Sequence, residues 1–486
     1  MIRHATALAC LCLAASALAA QPGRFDCGGK VERQTWMEWD GGVRGFVQQR
    51  LLRDRLQQRG DVYALYDAQT YMHNLASMAR RCKRSERLRE IASVVGIAYE
   101  VLEPGPASSF GRRWRCRGGI CNRKNRLRDE EVMLASVQYL ALASSVANAL
   151  ALSAAGRERA AQAFITDTTG ILIEHLDRWA DSRAIARLRK LASSAPEDVR
   201  NGSSALFFTD IDLWLIASHA ELAGLLRARG QKGDDDRMRE HLAALLRAFK
   251  ARTSIREICT SRGTRNEADL DRGYWRLYDE SRYAGYEGES KPVACSRSGD
   301  SMRLARPARA PAPRDDTGWD ISHARRLVHA LDALARNRAA LRSVYGLQDA
   351  QLPEAGIEQA FAGTLVARVW NGDSARPLFS NYWSGANGWY RSSHDERSGA
   401  CAEGIAPYGL SDAFATGGYL AWAGRQPVIG MLGRRLYQMV EQGDASDAAF
   451  IARYYPKLGR AADAQERSLA RLMFLASLVA AEGGPV

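Results

Sequence analysis

Two stretches of the chain gather side chains able to do acid–base chemistry on a bound ligand. In Trp319-Asp320-Ile321-Ser322-His323, Asp320 suits a helix N-cap, and His323 then falls in the first turn on the same face as Asp320. That spacing predicts an ionisable pair, a carboxylate beside an imidazole, at a helix mouth. His329, six positions on, faces elsewhere, so local spacing does not make the two histidines a metal pair. The second stretch is Asn381-Tyr382-Trp383-Ser384-Gly385-Ala386-Asn387-Gly388-Trp389-Tyr390-Arg391. It is poor in helix formers and lies in a longer non-helical segment, Trp370 to Tyr408, of the kind that tends to carry function.

A further aromatic set, Trp275, Tyr278, Tyr283 and Tyr286 with Arg282 among them, occupies the non-helical stretch Thr260 to Thr317. Aromatic faces with neighbouring amides and guanidinium groups are what a sugar cleft needs: rings stack on pyranose faces, amides take hydroxyls, and arginine takes a uronate carboxylate in bidentate fashion. The same rings equally suit the capping of a helical barrel. The chain lacks a Gly-x-Ser-x-Gly elbow, a His-Glu-x-x-His zinc helix and a phosphate-binding glycine loop. Gly299-Asp300-Ser301 echoes an esterase block only superficially, since that block belongs near a chain start.

The elements that must position these residues are helical. Apolar residues recur at three- and four-residue steps in Val62–Ala79, Leu88–Val101, Val132–Ala154, Ala160–Trp179, Leu206–Leu226, Met238–Phe249, Ile321–Val344, Ile357–Val369, Leu410–Trp422, Val428–Val440 and Leu469–Ala481. Shorter candidates are Phe46–Leu56 and Ala184–Leu191, and strand-like alternation is nearly absent. About a dozen helices joined by short turns make about six hairpins. No fixed repeat supports a solenoid, so the expected fold is all-α: an (α/α) toroid or incomplete barrel with long aromatic-rich loops. One helical domain over residues 21–486 is expected, with a possible division near the Pro/Ala-rich segment 303–316. The loop Pro104 to Arg128 reads as a basic knob stapled by Cys116 and Cys121.

Arg3 and His4, the apolar run Ala5–Ala15 and Ala17-Leu18-Ala19 have the pattern of a secretory signal peptide, cleaved near Ala19 or Ala20. The run from Met133 carries Gln138 and Asn148, which suits a core helix, and no transmembrane segment is expected. Beyond the leader, seven cysteines remain: proximity favours pairing Cys116 with Cys121 and Cys259 with Cys295, which leaves Cys27 and Cys82 to close a third loop and Cys401 odd; spacing alone does not fix the connectivity. The net charge is +13, and sixty arginines stand against eight lysines. Outside the cytoplasm that field favours an acidic polysaccharide or another anionic envelope polymer as partner; nucleic acid is not expected.

A helical chain of this length with a leader, an aromatic-rich loop past its middle and His, Tyr, Asn and Arg nearby resembles polysaccharide lyases and glycosidases of the (α/α) toroid type. Alginate lyases of that fold carry Asn-Asn-His-x-Tyr-Trp; this chain has Asn381-Tyr382-Trp383 without the histidine. The resemblance implies a periplasmic or secreted lyase that acts by β-elimination on a uronate-containing polysaccharide, with no metal or other cofactor. Asn381 or Asn387 with Arg391 would neutralise the carboxylate. His323 or Tyr390 would take the proton, and a tyrosine would return one. Trp275, Arg282, Tyr286, Trp383, Asn387 and Trp389 would bind the chain. Two alternatives stand beside it: a glycoside hydrolase using Asp320 and Glu403, and a non-catalytic envelope protein that binds polyanions or a partner protein through the same loops.

Overall fold

The computed structural model describes residues 24–105, 111–121, 126–199, 204–233, 235–260, 263–292, 295–298, 301–304, 313–392 and 403–482. The expected leader, the Cys259–Cys295 pair and Cys401 fall outside the described residues or side chains.

The chain is mostly helical. Helix α1 (Lys30–Glu38) continues into the π-helical turns Trp39–Val43 and Phe46–Gln58, followed by α2 (Tyr63–Arg81), α3 (Ser85–Gly96), α4 (Met133–Ala151) and α5 (Arg159–Trp179). Then come α6 (Ser182–Ser193), α7 (Asp210–Ala228), α8 (Asp236–Arg252), and α9 (Ile321–Ala324), which runs through Arg325 into α10 (Arg326–Tyr345). The last are α11 (Ile357–Thr364), α12 (Asp412–Thr416), α13 (Pro427–Gln442), α14 (Ala445–Tyr454) and α15 (Ala464–Glu482).

Two differences from the sequence expectation have plain causes. The single helix expected over Leu410–Trp422 is broken at Gly417-Gly418: Gly418 takes φ +89°, which only glycine adopts freely, and the chain resumes as the 3-10 turn Tyr419–Gly424. In the stretch leading into the expected loop, Thr253–Thr260 and Gly263–Leu270 form an antiparallel hairpin in register Thr253↔Leu270. The strands carry Arg256, Glu257, Arg265, Glu267 and Asp269 and do not alternate apolar with polar residues, so period-two patterning gives no strand signal there.

Helices α4 and α7 are apolar almost all round and buried on nearly every face, the pattern of helices with neighbours on all sides. Helix α15 packs on α2, α2 on α4, α4 on α7 and α7 on α10; the 3-10 turn Tyr419–Gly424 touches both α10 and α15. Amphipathic helices cover this series: α1 lies on α15, and α3 and α5 on α4. Each Leu or Ile so buried contributes about 1.5–3 kcal/mol. Helix α4 is the one helix among the described residues long and apolar enough to cross a membrane, and 89 % of that window is buried inside the protein.

The buried helices are also tied by a polar network. Asn148 Nδ2 and Asn337 Nδ2 donate to Glu221 Oε2 at 2.7 and 3.1 Å, Arg336 bridges Glu221 and Asp332, and Arg80 reaches Asp332 at 3.0 Å. These contacts join α2, α4, α7 and α10. Gly224 makes the approach possible, since a Cβ there would lie 2.3 Å from both Asn148 Nδ2 and Asn337 Oδ1.

Disulfides join Cys27 to Cys82 and Cys116 to Cys121. The second staples the basic knob, whose Trp114 is buried and donates to the Ala98 carbonyl at 2.8 Å. Arg112 and Arg117 in that knob are paired with Glu174, Glu103 and Asp129.

Candidate functional site

At one end of the helical series lies a cavity of about 400 Å³. Helix α2 lends it Tyr66, Thr70 and Tyr71; the α9–α10 junction lends Ser322, His323, Arg325 and Arg326; the long loop lends Tyr390 and Arg391; α12 and the segment before α15 lend Asp412, Thr416 and Lys457.

Local structure fixes His323. The Asp320 carboxylate caps α9 by accepting from the Ser322 and His323 amides at 2.9 and 3.1 Å, and its other oxygen lies 2.6 Å from His323 Nδ1. The aromatic loop is zipped onto this mouth: Asp320 forms an antiparallel bridge with Tyr382, and the Ile321 amide donates to the Asn381 carbonyl at 3.0 Å. A second bridge, Tyr390 to Ile405, steadies the loop beside the cavity. Arg391 is held at φ +55°, a conformation that costs a non-glycine residue about 1–2 kcal/mol. Glu280 holds it there: its carbonyl accepts from the Arg391 amide and its carboxylate from Arg391 Nε, both at 3.0 Å. The same carboxylate accepts from the Tyr390 hydroxyl at 3.0 Å, and that hydroxyl is 3.5 Å from His323 Nδ1.

The electrostatics differ from group to group. Burial would raise the Asp320 carboxyl, but the charge and hydrogen bonds of His323 hold it well below the usual carboxylate range. Burial, together with the Asp320 and Glu280 charges, pushes the Tyr390 phenol up, so it keeps its proton. Tyr66 goes the other way: burial opposes ionisation, yet Arg326 and Arg325 bring the phenol below the ordinary tyrosine value. Asp412 is raised by burial, with Lys457 pulling against it.

Of the residues singled out from sequence, His323, Tyr390 and Arg391 line this cavity together. Asn381 does not. It is fully buried, its amide donating to the Gly388 and Ala406 carbonyls at 3.0 and 2.8 Å and its oxygen accepting from the Leu410 amide at 3.0 Å. Asn387 likewise spends its oxygen on the Tyr408 amide at 2.8 Å. Trp383 is buried against Tyr419 and Trp422, its indole donating to the Ala268 carbonyl at 3.1 Å. Trp389 packs with Tyr283 and Tyr286 and donates to the Gly288 carbonyl at 2.9 Å. Trp275 packs on Phe207 and donates to Asp271 at 3.0 Å. Arg282 pairs with Asp279 at 3.0 Å and Tyr286 meets Ser290 at 3.2 Å, both away from the cavity lining. The carboxylates paired in the hydrolase alternative do not share the cavity either, because Glu403 is ion-paired with Lys291 and is not among the lining residues.

Tyr66, Arg325 and Arg326 were not singled out from sequence, because all three sit inside helical runs. The available signal was Arg325-Arg326, separated from His323 only by Ala324, two cations where a helix enters the core. Among the described residues the one cluster with metal-ligand spacing is Cys27, Glu32 and Cys82. Its sulfurs are joined in a disulfide, and its carboxylate is held by Trp36 and Arg84.

No protein-family model, no curated protein and no solved structure matches the chain.

Proposed function

We propose that the protein is an exported, periplasmic or secreted lyase of (α/α) toroid type that cleaves an acidic, uronate-containing polysaccharide by β-elimination. The observation that carries this reading is the convergence of the His323–Asp320 pair, Tyr390 and several guanidinium groups on one cavity. The chain of packings from α15 through α2, α4 and α7 to α10, with the turn Tyr419–Gly424 touching both end helices, supports the toroid, and the two disulfides suit an oxidising compartment.

The chemistry follows from what each group holds. Because Asp320 accepts from His323 Nδ1, the imidazole proton sits on that nitrogen and Nε2 is left with the lone pair. Guanidinium charge neutralises the uronate carboxylate, without which loss of the neighbouring C5 proton is prohibitive. His323 takes that proton, the electron pair forms the C4=C5 double bond, and the C4–O bond breaks. Tyr390, which keeps its proton through burial and its acidic neighbours, gives it to the departing oxygen. Tyr66, lowered by its two arginines, is the second group able to act as base.

The test is to incubate the full chain with polymannuronate, polyguluronate, polygalacturonate and glucuronate-containing glycosaminoglycans and follow the ultraviolet absorbance of an unsaturated uronate. A rise with at least one polymer, lost in His323→Ala and Tyr390→Phe, is expected. New reducing ends without that absorbance would mean hydrolysis, and no change with any polymer would remove the lyase reading.

A further inference from the structure

Among the described residues four cations, three arginines and a lysine, line the cavity, and three of the four have acidic partners. Arg326 lies 3.6 Å from Asp210, Arg391 3.0 Å from Glu280 and Lys457 3.7 Å from Asp412. Arg325 has no carboxylate within ion-pairing distance among the described residues; it lies close enough to the Tyr66 phenol to lower it. That hydroxyl already accepts from Arg326 at 2.6 Å, so it cannot balance two charges.

We propose that Arg325 anchors the anionic group of the ligand, in a subsite at the inner end of the cavity whose other polar walls are Tyr66, Thr70 and Thr416. Thr70, Arg325 and Thr416 line both the cavity and a void of about 10 Å³ that borders the buried Gln69 and Trp214, which places Arg325 at the floor. A guanidinium cannot shed its charge to escape this position. Leaving it without an anion, with Arg326 beside it, is unfavourable, and a bound oxyanion relieves that cost.

Its stem is also held in place. A Cβ on Gly417 would lie 2.9 Å from Arg325 Cβ and 3.3 Å from Cδ, so the stem of Arg325 lies directly against the backbone at the end of α12. The planar fork then presents paired donors to a carboxylate or a sulfate ester. A cavity of about 400 Å³ suits a few sugar rings. The sugar identity rests on the reading of the cavity as a polysaccharide-cleaving site; the anion preference does not.

The test is calorimetric titration of the full chain with trisaccharides of galacturonate, mannuronate and glucuronate, a sulfated trisaccharide, and maltotriose as the neutral control. At least one charged trisaccharide should bind and maltotriose should not. Arg325→Met should weaken that binding on the order of a hundredfold, and Arg325→Lys should restore part of it. The melting temperature of Arg325→Met should hold or rise, because an unpaired charge is removed. Preference for the sulfated sugar, or uronate binding lost in Arg325→Met with no unsaturated product from any polymer, upholds the subsite while the lyase reading falls. Equal binding of maltotriose, no binding of any charged trisaccharide, or wild-type affinity in Arg325→Met overturns the subsite. A melting temperature several degrees lower in Arg325→Met also overturns it, by making Arg325 structural.

Discussion

Asp320 both caps the helix that carries His323 and, 2.6 Å from Nδ1, orients that histidine's ring. One carboxylate thereby couples the start of α9 to the tautomer of the imidazole. The two roles separate by substitution, because an amide can still cap through its oxygen but presents an N–H where Nδ1 needs an acceptor.

Asp320→Asn should therefore cost only about 1 kcal/mol of stability while lowering turnover of any cleaved polymer on the order of a hundredfold or more, the usual weight of a positioned general base. Asp320→Ala should lose the cap as well, about 1 kcal/mol more. Denaturant unfolding and initial rates on the same preparations check this; an Asp320→Asn protein with full activity would mean that His323 does not depend on this tautomer.

Asn381 and Arg391, which the sequence reading treats as equals, should part company. Asn381→Ala strands the Gly388, Ala406 and Leu410 backbone groups that its amide satisfies, and leaving buried partners unmet costs about 1–3 kcal/mol. Its melting temperature should fall by several degrees. Arg391 is half-exposed at the cavity, so Arg391→Ala should melt within a degree or two of the parent while losing activity. Equal melting temperatures for the two variants would contradict the hydrogen bonding around Asn381.

The contrast shows where sequence was readable. Asp320-to-His323 is local, so N-cap spacing alone placed both groups on one face, and the structure keeps them there. Helix periods located α2, α4, α5 and α10 for the same reason. The aromatic loop misled because Trp, Tyr and Asn serve a binding surface and a tightly packed loop equally well: Trp383, Trp389 and Asn387 turned inward, and only Tyr390 and Arg391 reached the cavity. Tyr66 meets Arg326 across 260 positions of chain, a pairing that helical periodicity does not encode.

Asp269 should give the protein a pH-dependent weakness unrelated to the cavity. Both carboxylate oxygens are buried without a hydrogen-bond partner among the described residues, and Arg272 comes no nearer than 3.6 Å. Burial pushes the carboxyl up to about 7, with Arg272 only partly opposing it. Between about pH 4, where an unfolded aspartate releases its proton, and pH 7, the folded state keeps a proton that the unfolded state gives up, so this group's contribution to stability falls as pH rises and levels off above pH 7. Asp269→Asn cannot ionise. It should match the parent near pH 4 and exceed it at pH 8 by about 2–4 kcal/mol, read by denaturant unfolding at both values. A variant less stable than the parent at pH 8 would mean that the charged form is satisfied in the fold.

Gly417 should prove to be a ligand-affinity position that never touches ligand. Its φ of −81° suits any residue, so conformational strain is not the reason for glycine here. The reason is space: a Cβ would lie 2.4 Å from the Ala413 carbonyl oxygen and 2.9 Å from Arg325 Cβ. Gly417→Ala must push Arg325 away from α12, and forcing a methyl into a packed site costs about 1–3 kcal/mol. Gly170, within α5, is the control, since a Cβ there meets nothing among the described residues within 4 Å; Gly170→Ala should stabilise by about 0.5–1 kcal/mol. Calorimetry well below both melting temperatures separates a displaced guanidinium from a merely weaker fold. If Arg325 is the anion anchor, folded Gly417→Ala should bind a charged trisaccharide at least about tenfold more weakly, equivalent to 1.4 kcal/mol, while Gly170→Ala binds as the parent does. Parental affinity in a Gly417→Ala protein that melts early would show that the methyl is absorbed elsewhere in α12 and that Arg325 keeps its place without help from Gly417.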